Sequence, residues 1–201
     1  MAKTNSNPTR VVTGKVRLSY EHLMKPYANT ENDPKAEPKY SVTVLLPKTD
    51  TATKTRIDKA IQAALEKGRK DKKFKDGVPL EKLPTPIYDG DGYRADGYTE
   101  FGPECKGCWV FTASCRQDRK PEIVDTHGNP IIDASEIYSG IWARVSCEFY
   151  PYAVPARQGI GCGLGNVQKL SDGEPFGTVG SADDFDDGFK DEEIDDLANY
   201  M

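Results

Sequence analysis

The chain has 201 residues, 37% of them hydrophobic and 29% charged, with a formal net charge of −5. That length fits one domain with an appendage and buries a core without staples, and no apolar run approaches a membrane span, so a soluble, unexported, cytoplasmic protein is expected. Five cysteines, Cys105, Cys108, Cys115, Cys147 and Cys162, are odd in number and lack framework spacing, which excludes a disulfide scaffold and implies reduced thiols.

Residues 1–9 read as a polar lead-in. Over 10–20 apolar and polar positions alternate, with Val12, Gly14, Val16, Leu18 and Tyr20 on one side and Val11, Thr13, Lys15, Arg17 and Ser19 on the other. Lys15 and Arg17 therefore share the solvent face of a strand, where phosphate contact and edge protection are equally good reasons for them. Residues 21–38 have loop chemistry. Tyr40, Val42, Val44 and Leu46 form a second alternating strand closed by Pro47. Asp50 or Thr49 caps a helix over about 51–67, carried by Ile57, Ala60, Ile61, Ala64 and Leu65, with Gly68 ending it. The run 67–75 then sets six basic residues, Lys70, Lys72 and Lys73 among them, around Phe74. Such a run is either a solvated loop or a collector of phosphates, with Phe74 as a stacking surface.

Residues 76–103 are punctuated by Asp-Gly turns, with Tyr88, Tyr93, Arg94, Tyr98 and Phe101 interleaved; these rings either clamp bases or lie against a barrel wall. A strand over 107–116 turns Trp109, Phe111, Ala113 and Cys115 inward and Thr112, Ser114 and Arg116 outward. A short strand at 121–125 and a turn at 127–130 follow. Over 141–150 the alternation is strict: Ile141, Ala143, Val145, Cys147 and Phe149 face a core, and Trp142, Arg144, Ser146, Glu148 and Tyr150 face out. Rings beside cations on the wet side of a sheet suit unpaired bases, and a covering layer or subunit is the alternative. Gly159, Gly161, Gly163 and Gly165 strip one face of the last segment so that a backbone, ring or ligand approaches closely. They match neither a P-loop nor a dinucleotide fingerprint, and a short helical turn is expected at Leu164, Val167 and Gln168.

No catalytic constellation is evident. Cys105-x-x-Cys108 has no second ligand pair, so no metal is expected. Asp89, Asp91 and Asp96 each precede a glycine, so turn formation explains them; with Asp133 they are the basis of a magnesium-nuclease rival. Two histidines in unrelated contexts offer no nucleophile and base. Neither enzyme activity nor a cofactor is expected.

Short strands with one inserted helix predict an all-β fold, an OB-fold-like antiparallel Greek-key β-barrel forming a domain over 1–180. The remainder, 181–201, is an acidic tail with too little apolar content to fold alone, expected to be disordered. Asp183, Asp184, Asp186, Asp187, Asp191, Glu192, Glu193, Asp195 and Asp196 stand there against Lys190 alone, while Phe185 and Phe189 supply apolar anchors for a partner. Without that acidic run the chain is mildly basic, and such asymmetry points to a polyanion partner plus a tail with a separate role.

The runs YDGDGYR, GCWVFTAS, KPEIVD, IYSGIWARVSCEFYPY and QGIGCGLGNVQKLSDGEPFG resemble the single-stranded DNA-binding proteins of tailed bacteriophages, over about residues 10–177. The resemblance implies an OB fold with an acidic tail and sequence-tolerant coating of unpaired DNA in replication, recombination and repair. It also implies a tail that recruits a polymerase, helicase or primase, and a cleft including Trp142, Arg144, Tyr150 and Tyr152. The expected groove follows phosphates with Lys15, Arg17, Lys70, Lys72, Lys73, Arg94, Arg116 and Arg144, and stacks bases on Trp142, Tyr150 and Tyr93 or Phe74, with the tail competing for it. A homo-oligomer stays open. The alternative is a structural or assembly barrel whose aromatic face is a subunit contact.

Overall fold

The computed structural model describes residues 7–28, 30, 34–155 and 157–176; the predicted acidic tail lies outside them. The elements are β1 (Arg10–Val12), β2 (Val16–Tyr27), β3 (Lys39–Pro47), α1 (Thr51–Lys70), β4 (Tyr88–Asp89), β5 (Cys108–Arg116), β6 (Ile123–Val124), β7 (Trp142–Val154) and β8 (Arg157–Ser171). β2, β3, β5, β8 and β7 pair in that order and β7 returns to β2, closing a ring. This is a Greek-key barrel of the OB kind, as expected from sequence. It is not wholly antiparallel: β5 meets β8 in parallel at Ser114 and Gly163, and β6 runs parallel to β8. β1 adds to β7, and β4 to β5.

The period-two readings of the central strands hold. Val42, Val44 and Leu46 of β3, Phe111 and Ala113 of β5, and Ala143, Val145, Cys147 and Phe149 of β7 are all buried in one core. Each large side chain there stabilises the fold by about 1.5–3 kcal/mol relative to exposure. Helix α1 lays Ile57, Ala60, Ile61, Ala64 and Leu65 on this core, packed mainly against β7. The Asp50 carboxylate caps it, accepting the Thr53 N–H at 2.9 Å.

Four local expectations are corrected. Residues 10–20 are not one strand, because the chain breaks at Thr13-Gly14 and the inward phase flips. Val11 is buried while Val12 faces out, then Val16 and Leu18 are buried. The break is made at long range: the Gly14 N–H donates to Thr53 Oγ1 at 3.0 Å, and a side chain at Gly14 would collide with the Asp50 carboxylate. Residues 21–27 are not loop but the continuation of β2, paired to β3 through two register shifts, with Leu23 buried. Leu164, Val167 and Gln168 make no helical turn; β8 runs on to Ser171 because β6 and β7 flank it, with Val167 opposite both Ile123 and Val145.

The helix does not stop before Gly68 but continues to Lys70. Gly68 is there for close approach: a Cβ would lie 2.4 Å from the Phe74 ring and 2.7 Å from Pro151. In an open helix Gly→Ala stabilises by about 1 kcal/mol. Here overpacking, at about 1–3 kcal/mol, reverses the sign. Gly68→Ala is expected to lower the urea midpoint, and a raised midpoint would show that Phe74 is not seated on it.

Candidate nucleic-acid interface

Outside the barrel, β3, β5 and β8 present a floor of small side chains: Ser41 and Thr43, Thr112 and Ser114, then Gly161 and Gly163. The Thr43 and Thr112 hydroxyls lie 3.1 Å apart across the β3–β5 pair. Tyr150, opposite Gly161 on β7, lays its ring over the glycine strip; a Cβ at Gly161 would come within 2.7 Å of that ring. The strip is thus a seat for an aromatic side chain, one of the approaches expected from sequence. Tyr150 is 44% exposed, and its partial burial raises the phenol pKa, which keeps the ring neutral.

A groove of about 390 Å³ runs beside this ring, lined by Arg10, Ser114, Arg116, Arg119, Tyr150 and Gly163. Arg10 is held by Ser146 Oγ, which accepts from Nε at 3.3 Å and Nη2 at 3.2 Å. Arg116 meets Asp118 at 3.8 Å in an exposed pair that screening leaves weak. A second hollow of about 380 Å³ is lined by Thr43, Tyr88, Arg94, Phe101, Thr112 and Tyr152 among others. Its Tyr88 and Phe101 rings are tilted with centroids 6.2 Å apart, and the Arg94 guanidinium stands 5.5 Å from the Phe101 ring centre. Ser114 and Thr112 on β5, and Tyr150 and Tyr152 on β7, are each two residues apart, so the two hollows lie end to end along one face.

The wall of the second hollow is an arm over 84–106, tied to the barrel by β4 and by Lys48, whose ammonium reaches Asp89 at 2.5 Å and Asp91 at 2.7 Å. The other Asp91 oxygen accepts the Gly107 N–H, Asp96 accepts from Tyr98 and Thr99, and Asp133 from Ser135. All four carboxylates of the nuclease rival are therefore engaged by local turns or by Lys48. The hydrogen bond from Lys48 is the largest influence holding Asp89 and Asp91 below their ordinary 3.8 and Lys48 above its ordinary 10.5. The tie is thus complete between those values, lost as pH falls through the depressed aspartate pKa values, and lost again as pH rises past the raised lysine pKa. Lys48→Ala is expected to lower amide protection over 88–107 at pH 7 and to remove the loss of protection that the native chain shows as pH falls below 3.8; unchanged protection would show that β4 alone holds the arm.

Of the residues expected at the site, Tyr150, Tyr152, Arg94 and Arg116 come together on this face. Tyr93 is 55% exposed on a hairpin bridged to Glu100, next to Arg94. Lys70, Lys72 and Lys73 are exposed at and beyond the end of α1. That loop is pinned by the Lys75 N–H donating to the Gln158 side chain at 2.9 Å, near the β7–β8 hairpin. Phe74 is half-buried, with its ring packed on the core against Gly68. Arg144 is exposed and donates from Nε to the Thr13 carbonyl at 3.1 Å.

Trp142 lines neither hollow. It lies eight residues from Tyr150 on β7, about 26 Å along an extended strand. There the Lys15 ammonium stands 4.5 Å and the Arg17 guanidinium 5.4 Å from the indole centre. Arg17 also stacks 4.1 Å from the Phe176 ring and donates to the carbonyls of Gly140 and Glu174, while Gly173 rests against the indole. Segment 172–176 thus covers part of the Trp142–Arg17 pair, at the opposite end of β7 from Tyr150. Arg10, Arg119, Thr43 and Thr112 line these hollows without having been expected there: the β1–β7 pairing brings in Arg10, the β3–β5 pairing sets Thr43 beside the outward-facing Thr112, and Arg119 follows from the turn after β5. Cys105 packs with Leu45 and Val110, and burial pushes its thiol up to about 11 and raises that of Cys108.

A closed strand ring with a basic, tyrosine-walled outer groove defines an OB-type nucleic-acid-binding barrel. The chain belongs to the single-stranded DNA-binding protein family of Enterobacter phage Enc34, whose family model matches residues 9–197. It is similar to the single-stranded DNA-binding protein of bacteriophage Enc34 solved in complex with ssDNA, at 31% identity and TM-score 0.69, over 88% of this chain and 97% of that one. A C-terminal truncation of the same phage protein matches at 30% identity and TM-score 0.66, over 87% and 96%. The bacteriophage T7 single-stranded DNA-binding protein gp2.5, at 15% identity and TM-score 0.54 over 86% and 97%, shares the fold. No curated protein sequence matches significantly. The family is one of binding proteins and not of enzymes. Among the described residues no helix is long and apolar enough to cross a membrane.

Proposed function

We propose that this chain coats single-stranded DNA with little sequence preference during phage replication and recombination, in the host-cell cytoplasm. The observation that carries the reading is the Tyr150 ring seated on Gly161 beside Arg10, Arg116 and Arg119. A strand crosses β8, β5 and β3 from that groove over Tyr150 into the hollow of Tyr152 and Arg94, with Lys70, Lys72 and Lys73 as outlying charges for its phosphates. Bases stack on ring faces, which every base possesses, at about 1–3 kcal/mol each, and the guanidinium groups follow the backbone.

The binding domain extends to about residue 180, and the acidic tail beyond it recruits replication proteins and competes with DNA for the groove. Supporting that competition, Phe176 packs beside the cluster of Leu45, Cys105 and Val110 together with Phe101, a wall residue of the second hollow. The chain therefore enters its tail from beside the proposed DNA path. The test is a titration of labelled oligo-dT with the full chain and with a chain ending at Ser181. Micromolar or tighter binding by both, tighter for the shorter chain at low salt, is expected. Equal affinities would remove the competition, and no binding by either would favour an assembly role for the aromatic face.

A further inference from the structure

The second hollow contains a group that a phosphate path does not explain. Glu104 lines it, half-buried among Tyr88, Phe101, Tyr152 and Val110. Its carboxylate folds back over Gly102, where a Cβ would come within 2.3 Å of a carboxylate oxygen, so the glycine makes room for it. No cation pairs with Glu104 among the described residues, and its one hydrogen bond there comes from the Cys105 thiol at 3.9 Å. A carboxylate repels phosphates and, half-buried beside ring faces, needs donors; Arg94 lines the same hollow but makes no ion pair with it. DNA phosphates and deoxyriboses have none to offer; bases do, on the edges that single strands leave unpaired.

We infer that this hollow is a base slot that reads guanine, resting on the proposal that DNA crosses this face. The Tyr88–Phe101 pair and Tyr152 supply ring surfaces for one unstacked base, and Glu104 accepts from its Watson–Crick edge. Guanine alone sets two adjacent donors, N1–H and the N2 amino group, against the two oxygens of a carboxylate. Thymine offers a single N3–H flanked by two carbonyls that oppose it. The Thr43 and Thr112 hydroxyls, bonded to each other on the lining of the same hollow, are left to meet the guanine O6. Coating stays sequence-tolerant overall because Tyr150 and the arginines read no edge; the slot adds a preference at one position.

The test uses the full chain and three labelled strands of equal length: oligo-dT, alternating dT/dG, and alternating dT/dI, in which hypoxanthine lacks the N2 amino group. The dT/dG strand is expected to bind about five- to tenfold more tightly than oligo-dT, with dT/dI between. Glu104→Gln should erase the difference between dT/dG and dT/dI while binding oligo-dT as well as or better than the native chain. Equal affinity of the native chain for all three strands overturns the slot and leaves the coating function standing. A guanine preference that survives Glu104→Gln also overturns it, since stacking alone would then explain the preference. Failure to bind any strand would instead defeat the coating function.

Discussion

Replacing Arg116 and Arg119 together by alanine is expected to lower affinity for oligo-dT by about 60-fold at 50 mM salt and to leave it nearly unchanged near 1 M. Each phosphate contact on a single strand contributes about 0.7 to the log–log salt slope, so losing two reduces the slope by about 1.4. That loss requires the two guanidinium groups to act as phosphate ligands. Both line the groove beside Tyr150, and the pairing of Arg116 with Asp118 is too exposed to stabilise the fold measurably. The urea midpoint of the double variant should accordingly match the native chain. Lys15→Ala is the control: Lys15 is held over Trp142 at the other end of β7, and its removal should leave the salt slope in place. Parallel curves for native chain and double variant, displaced but not converging at high salt, would show that these arginines shape the groove and do not touch phosphate.

How much of this could be read from sequence follows from the range of the forces involved. A strand with one wet face writes itself as alternation, so β3 and β7 were legible, and the period of Ile57, Ala60, Ile61, Ala64 and Leu65 gave the helix. The inward phase of β1 was not legible, because its break is set by Gly14 meeting Thr53, 39 residues away. The second half of β2 was hidden by Glu21, His22 and Lys25; Glu21 is partly buried, which raises its carboxyl pKa, and it accepts the Leu23 N–H at 3.2 Å. Alternation gave the outward face of β7 and so found both Trp142 and Tyr150. It did not say that a barrel turns one strand's outward face past different neighbours along its length. Arg17 and segment 172–176 meet Trp142, whereas Gly161 and Gly163 meet Tyr150.

Tyr150→Ala should therefore weaken binding by about 1–3 kcal/mol, roughly 5- to 150-fold, with the salt slope intact, because a lost stacking surface removes no counterion-displacing charge. Taken alone, that result does not separate the ring itself from its seat. Gly161→Ala does: the added methyl would stand 2.7 Å from the ring, which must tilt off the strip, while the β8 backbone and its pairing to β7 are retained. Alanine is no worse than glycine in a strand interior, so stability should not fall. The expected loss for Gly161→Ala is a fraction of that for Tyr150→Ala, and the double variant should bind no worse than Tyr150→Ala alone, because the methyl then has no ring to displace. Additive losses would mean that the glycine strip contacts the DNA directly and that Tyr150 is a neighbour of the path, not its floor.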